Sequence, residues 1–182
     1  MMLDRFIKIL NSNKKLGDWK IVKNHTISTE LFYVGNLLEN ARKADTVTYT
    51  ATIYVDQDGF RGSSSFSVYD YMSDHELEDI VSKNVYAASF VKNPYFELPK
   101  GKKADLIRSS SNIKGRECAD VLEELVNAVF SADLYDHGQL SATEFFLTEK
   151  TVRIINSQGV DLSDTSYGGC VEVIPAWEQD GE

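Results

Sequence analysis

Residues 46–69 read TVTYTATIYVDQDGFRGSSSFSVY, and the spacing of their apolar side chains decides the fold class. Val47, Tyr49, Ala51, Ile53 and Val55 alternate with Thr46, Thr48, Thr50 and Thr52. An extended chain repeats its side-chain direction every two residues, so this arm has one apolar face and one hydroxyl-bearing face. Beyond Asp56-Gln57-Asp58-Gly59 the period continues, with Phe60, Gly62, Ser64, Phe66 and Val68 on one face and Arg61, Ser63, Ser65, Ser67 and Tyr69 on the other. Asp-Gly supplies the positive φ that a tight turn needs, so the stretch is read as one long β-hairpin. On this reading Phe60 and Phe66 enter the core, while Arg61 and the serines point outward.

Downstream, Ser73-Asp74-His75-Glu76 has the capping-box spacing that opens a helix. Leu77, Ile80, Val81, Asn84, Ala88 and Val91 trace its face, and Ala87, Ala88 and Ser89 suit close approach to a sheet. Asn93-Pro94 and Leu98-Pro99 stop it, because a residue before proline disfavours helical backbone. Upstream, Leu3, Phe6, Ile7 and Leu10 form the stripe of a short helix. Trp19–Lys23 and Ile27–Val34 read as two extended pieces around Asn24-His25, and polar Asn36–Asp45 reads as a turn. Residues 99–116 read as a mobile linker carrying Gly101, Ser109-Ser110-Ser111 and Gly115. Lys92, Lys100, Lys102, Lys103, Arg108, Lys114 and Arg116 also admit a basic arm there, although no interleaved aromatics follow them as a nucleic-acid platform would need.

The clearest helical stripe is Cys118, Val121, Leu122, Leu125, Val126, Val129 and Phe130. Ser131–Gln139 is read as a loop, followed by strands over Ala142–Leu147, Thr151–Ile155 and Ser166–Trp177. The expected order is helix, three strands, two helices and three strands. That gives an α+β fold with mostly antiparallel sheet and three to four helices, as one domain over residues 1–182. The strong strand near Trp177 is expected to be continued, covered or paired by something else.

With 19 Lys and Arg against 28 Asp and Glu, the chain carries a net charge of −9. That balance argues against a broad nucleic-acid face and against anionic membranes. No apolar run approaches the about 20 residues of a membrane span, and no export signal is seen, so a cytoplasmic protein is expected. Cys118 and Cys170 lack CxxC spacing and read as reduced thiols.

Several near misses define what chemistry is absent. His75-Glu76 begins like a zinc-protease helix, but Asp79 and Ile80 stand where a second imidazole is needed. Asp133, Asp136 and His137 are a loose carboxylate and imidazole set better read as solvated. The serine triplets lack a nucleophile elbow, and Gly59, Gly62, Gly168 and Gly169 do not lead into a helix as a phosphate loop does. The Thr/Ser face of the hairpin is the one unusual surface, and an extended peptide could lie along it. No catalytic residue and no metal ligand is assigned.

The run Tyr54-Val55-Asp56, Gly59-Phe60-Arg61-Gly62-Ser63 and a Ser-capped helix over Asp74–Tyr86 with Ala87-Ala88 resembles the N-terminal domain of the TldD/PmbA family. Asn93-Pro94-Tyr95-Phe96-Glu97-Leu98-Pro99, Leu140-Ser141-Ala142, Thr151-Val152 and Asn156-Ser157-Gln158-Gly159-Val160 extend the likeness over most of Glu30–Trp177. The family, also called modulators of DNA gyrase, comprises cytoplasmic two-domain zinc metallopeptidases that trim unfolded peptides. The resemblance implies a zinc site only in a C-terminal domain, on an HExxxH helix with a later Cys, and no such motif occurs in this chain. It also implies pairing as a homo- or heterodimer around a substrate chamber.

The chain is therefore expected to be the non-catalytic N-terminal domain, inactive alone and without its own cofactor, the C-terminal metallopeptidase domain being absent. Arg61, Ser63 and Ser65 are the expected contacts to peptide substrate or partner subunit. The alternative is a stand-alone binding or regulatory module without peptidase activity.

Overall fold

A computed structural model describes residues 1–101, 111–134 and 136–177. Its elements run α1 (Met2–Ser12), β1 (Asp18–Val34), β2 (Leu37–Gln57), β3 (Phe60–Val68), α2 (Asp74–Ala88), β4 (Asn93–Pro94), α3 (Cys118–Ser131), β5 (Gly138–Asn156) and β6 (Asp161–Trp177). The strands form one six-stranded sheet in the order β4-β3-β2-β1-β5-β6. With three helices among the described residues, the α+β class is as expected. None of those helices is long and apolar enough to cross a membrane.

The hairpin closes as its sequence requires. Asp58 and Gly59 form a two-residue turn with φ of 48° and 80°, the doubly positive pattern whose twist matches paired strands. Antiparallel pairing then sets Ala51 against Phe66, Ile53 against Ser64, Val55 against Gly62 and Asp56 against Arg61. Phe60 differs from expectation. It lies beside the turn, 41 % exposed, with the Lys92 ammonium 5.8 Å from its ring.

The chain divides into two compact units. The first comprises Met1–Asn24, Val47–Leu106 and Val152–Asp164. Its core packs Leu3, Phe6 and Leu10 of α1 and Leu77 and Val81 of α2 against Ile21, Ala51, Ile53 and Val68 of the sheet. The Phe6 and Phe66 rings meet edge to face at 6.2 Å. The second unit comprises His25–Thr46, Ile107–Thr151 and Thr165–Glu182. There the predicted stripe of α3, centred on Val121 and Leu122, packs on Phe145 and Leu147, with the Tyr33 ring 5.2 Å from Phe130.

Strand lengths depart from the sequence reading. Of Asn36–Asp45 only Asn36 turns, beside Gly35 at φ +55°; residues 37–45 are the first part of β2. Residues 37–43 are exposed, so neither face is buried and no alternation marks them as a strand. A polar cross-strand pair holds them instead, Arg42 Nε donating to Glu30 Oε2 at 2.8 Å, and just beyond them Thr46 Oγ1 donates to Thr26 O at 3.4 Å. The pieces around Asn24-His25 are likewise one strand, and His25 Nε2 sits 2.7 Å from Asp45 Oδ1. Thr148-Glu149-Lys150 continues β5, so two long strands follow α3 where three shorter ones were expected.

Helix α2 carries the anticipated capping box. Ser73 Oγ accepts from Glu76 N–H at 3.3 Å, and Glu76 Oε2 accepts from Ser73 N–H at 2.8 Å. A cap of this kind contributes about 1 kcal/mol. The helix ends at Ala88, short of Val91, and Asn93-Pro94 pairs with Phe60 and Arg61 of β3 as β4. In the expected linker, residues 102–110, with Lys102, Lys103 and Arg108, lie outside the described residues. Pro99–Gly101 is held to the sheet through Asn156 and Gln158, and Arg116 N–H donates to Ile113 O at 3.0 Å.

Gly62 is where α2 closes on the sheet. A Cβ there would fall 1.9 Å from Ala88 O and 2.8 Å from Val91 O, both backbone atoms. Gly62→Ala is therefore expected to destabilise the protein by about 1–3 kcal/mol, the usual cost of overpacking. Urea denaturation measures this, and an unchanged midpoint would show that α2 does not press on Gly62.

Candidate functional site

In the first unit, α1 and α2 cover one face of the sheet. On the other face, cross-strand neighbours Asp56 and Arg61 project together. Arg61 Nε donates to Asp56 Oδ1 at 2.6 Å and Nη2 to Asp56 Oδ2 at 2.8 Å, a bidentate pair. Asp18, opening β1, brings Oδ2 to 2.9 Å from Nη1. Nη1 is poorly aligned for a hydrogen bond, so this second contact is an ion pair of looser geometry than the bidentate one. Three aromatic rings enclose the guanidinium, with Cζ 4.6 Å from the Tyr95 centroid, 5.6 Å from Phe96 and 5.7 Å from Tyr54. Distances of this order allow cation–π attraction.

Residues 93–101 form a strap over this face. Leu98 is buried, Phe96 meets the Tyr54 ring edge to face at 5.6 Å, and Pro99 O accepts from Asn156 Nδ2 at 2.8 Å. Gly101 N–H donates to Gln158 O at 3.0 Å. The β5–β6 turn supports the cluster from the other side. Asp18 Oδ1 accepts from Ser157 Oγ at 2.5 Å and from Gln158 Nε2 at 2.6 Å. Asn156 Oδ1 accepts from the N–H groups of Gln158 and Val160 at 2.9 Å each.

Electrostatics follow from these contacts. Its hydrogen bonds to Asp56 hold the Arg61 guanidinium firmly protonated, against the opposing effect of burial. Burial pushes the Asp18 carboxyl upward. Gln158, Ser157 and Arg61 together outweigh that push, and its pKa falls below the ordinary 3.8. Burial also raises the Tyr54 phenol.

The expected site residues do not form one surface. Arg61 does not point to solvent; it is 1 % exposed, because the strap covers it and two carboxylates draw it inward. Ser63 is half-buried, and exposed Ser65 shares a 2.9 Å hydroxyl contact with Thr52. Ser64 faces α2, donating to Asn84 Oδ1 at 2.6 Å. The residues missed were the partners of Arg61. Asp56 was recoverable, since the hairpin register sets it opposite Arg61, whereas Asp18 and the strap become neighbours only through tertiary folding.

This cluster is closed to an incoming anion: its cation faces two carboxylates and lies buried under the strap. Among the described residues no three His, Cys, Asp or Glu side chains converge as metal ligands. Asp133 Oδ2 accepts from Leu140 N–H at 3.4 Å, and the His137 ring stands 6.2 Å from Trp177. The residues in view therefore do not fit a zinc site. Cys118 and Cys170 are both free thiols.

No protein-family model and no curated protein matches the sequence. Solved structures do. TldE from Thermococcus kodakarensis aligns with a TM-score of 0.67 at 14 % identity, over 100 % of this chain and 40 % of its own. A protein from Thermotoga maritima described as a "putative modulator of a DNA gyrase" gives 0.67 at 16 % identity, over 99 % of this chain and 41 % of its own. A Bacteroides thetaiotaomicron protein of the same description gives 0.63 at 16 % identity, over 93 % and 38 %. The chain thus has the fold that the TldD/PmbA resemblance implied, and it spans about 40 % of the length of these relatives.

Because the Asp18 pKa is depressed on folding, its stabilisation is whole above the ordinary carboxylate value of 3.8 and is lost as pH falls through the folded value. Asp18→Asn should lower stability at pH 7 and flatten the acid limb of a stability–pH curve. Parallel curves for the two proteins would show that Asp18 gains nothing from its partners.

Proposed function

We propose that this chain is a non-catalytic domain of a TldD/PmbA-type metallopeptidase, walling a chamber for unfolded peptides and contributing to subunit pairing. The observation that carries this reading is the extent of the fold likeness. All of this chain aligns with TldE, yet it accounts for 40 % of that chain, leaving the larger part outside the match. In this reading zinc, where the assembly carries it, is held outside these residues, and no hydrolytic step is assigned to them. The hydroxyl-bearing face of the hairpin is the surface offered to peptide, with Ser63 and Ser65 as contacts. Arg61 acts beneath it by holding the hairpin and strap together.

Incubation of the purified chain with an unfolded peptide and zinc should yield no chelator-sensitive cleavage. A photo-crosslinking version of that peptide should label β3 around Ser63 and Ser65. Robust cleavage abolished by a chelator would overturn the non-catalytic assignment, and labelling confined to other surfaces would overturn the peptide contact.

A further inference from the structure

Beside the Arg61 cluster, on the same sheet face of the first unit, lies a cavity of about 1100 Å³. Its walls are mainly apolar, built from Phe96, Leu98, Ile154, Val160 and Leu162 with the Tyr54 ring. Three charged side chains reach it: Lys20, Lys100 and Asp161. Two of them already have counter-charges. Asp161 accepts both its hydrogen bonds from Arg153 at 2.8 Å, and Lys100 Nζ stands 3.7 Å from Glu97 Oε2.

Lys20 is different. It is half-buried, and its side chain makes no hydrogen bond or ion pair with any described residue. The carboxylate that shares its strand face, Asp18, is occupied by Arg61, Ser157 and Gln158. In the polar part of the wall Asn156 is also satisfied, its Oδ1 accepting twice and its Nδ2 donating to Pro99 O. Among the described residues the cavity is therefore lined by one lysine without a counter-charge, between apolar walls, on a chain whose net charge is −9. Ligand sites are typically concave, mostly apolar and oriented by a few polar groups. A lone cation beside low-dielectric walls favours an anion, and the walls favour one with an apolar body.

We propose that this cavity binds an organic carboxylate with an apolar body, its anionic group anchored by Lys20. The proposal goes beyond the chamber reading and stands without it. The carboxylate could come from an alkyl acid or from the C-terminus of an apolar peptide, and both present the same chemistry.

Calorimetric titration of the full chain compares octanoate with octanamide, and acetyl-Leu-Leu-Phe as free acid with its C-terminal amide. At least one acid should bind saturably, and about tenfold more tightly than its neutral amide, one ion pair's difference. The acid that binds better identifies the source. Lys20→Met should bring acid affinity down to that of the amide while leaving the circular dichroism spectrum unchanged. Ile154→Glu, which puts a like charge on the wall, should abolish acid binding in a protein that still folds. Equal binding of acids and amides, unchanged acid affinity in Lys20→Met, or no saturable binding by either acid would overturn the proposal.

Discussion

A guanidinium with 2 % of its side chain exposed must find its counter-charges inside the fold, and Arg61 finds them in Asp56 and Asp18. Removing such an ion from water costs several kcal/mol even after relaxation. A bidentate carboxylate, a second carboxylate and three ring faces offset that cost, and a planar guanidinium suits all of them better than an ammonium. The rest of the first unit is arranged around this satisfaction. The hairpin supplies Arg61 and Asp56, β1 supplies Asp18, and the strap supplies Tyr95 and Phe96. The β5–β6 turn then holds Asp18 through Ser157 and Gln158. Loss of the guanidinium would leave Asp18 buried without its cation, a defect that typically costs about 3–5 kcal/mol.

What could be read from the sequence was what one buried face and one exposed face impose. The hairpin alternates because Ala51, Ile53 and Val68 meet α1 and α2 while Thr52 and Ser65 meet water. The α3 stripe was legible for the same reason. Residues 37–43 were not, because they are exposed and leave no period to detect. The site was legible only in part. Arg61 was placed on the correct sheet face, but its burial depends on a strap that contributes no regular structure beyond a two-residue strand. Local pattern cannot announce a partner such as Asp18, more than forty positions away in sequence.

The fold likeness survives at 14–16 % identity. Such tolerance is what packing constraints predict, since a core demands apolar residues of suitable volume rather than particular ones. Specific demands arise at fewer places. Gly62 must lack a side chain where α2 meets β3, and the Asp58-Gly59 turn needs positive φ. These requirements and the Arg61 contacts, Asp18 apart, fall within or beside the motifs that carried the family resemblance. The motifs thus record scaffold requirements, and function has to be argued from surfaces: the hydroxyl face of the hairpin and the cavity beneath Lys20.

The buried ion cluster is tested most directly by nitrogen-15 NMR of arginine side chains at neutral pH. With Arg61 Nε–H bonded to Asp56 and shielded by the strap, one Nε–H signal should exchange slowly with water. That protection should vanish in Asp56→Asn. A spectrum in which every arginine Nε–H exchanges rapidly, as solvated arginines do, would contradict the account.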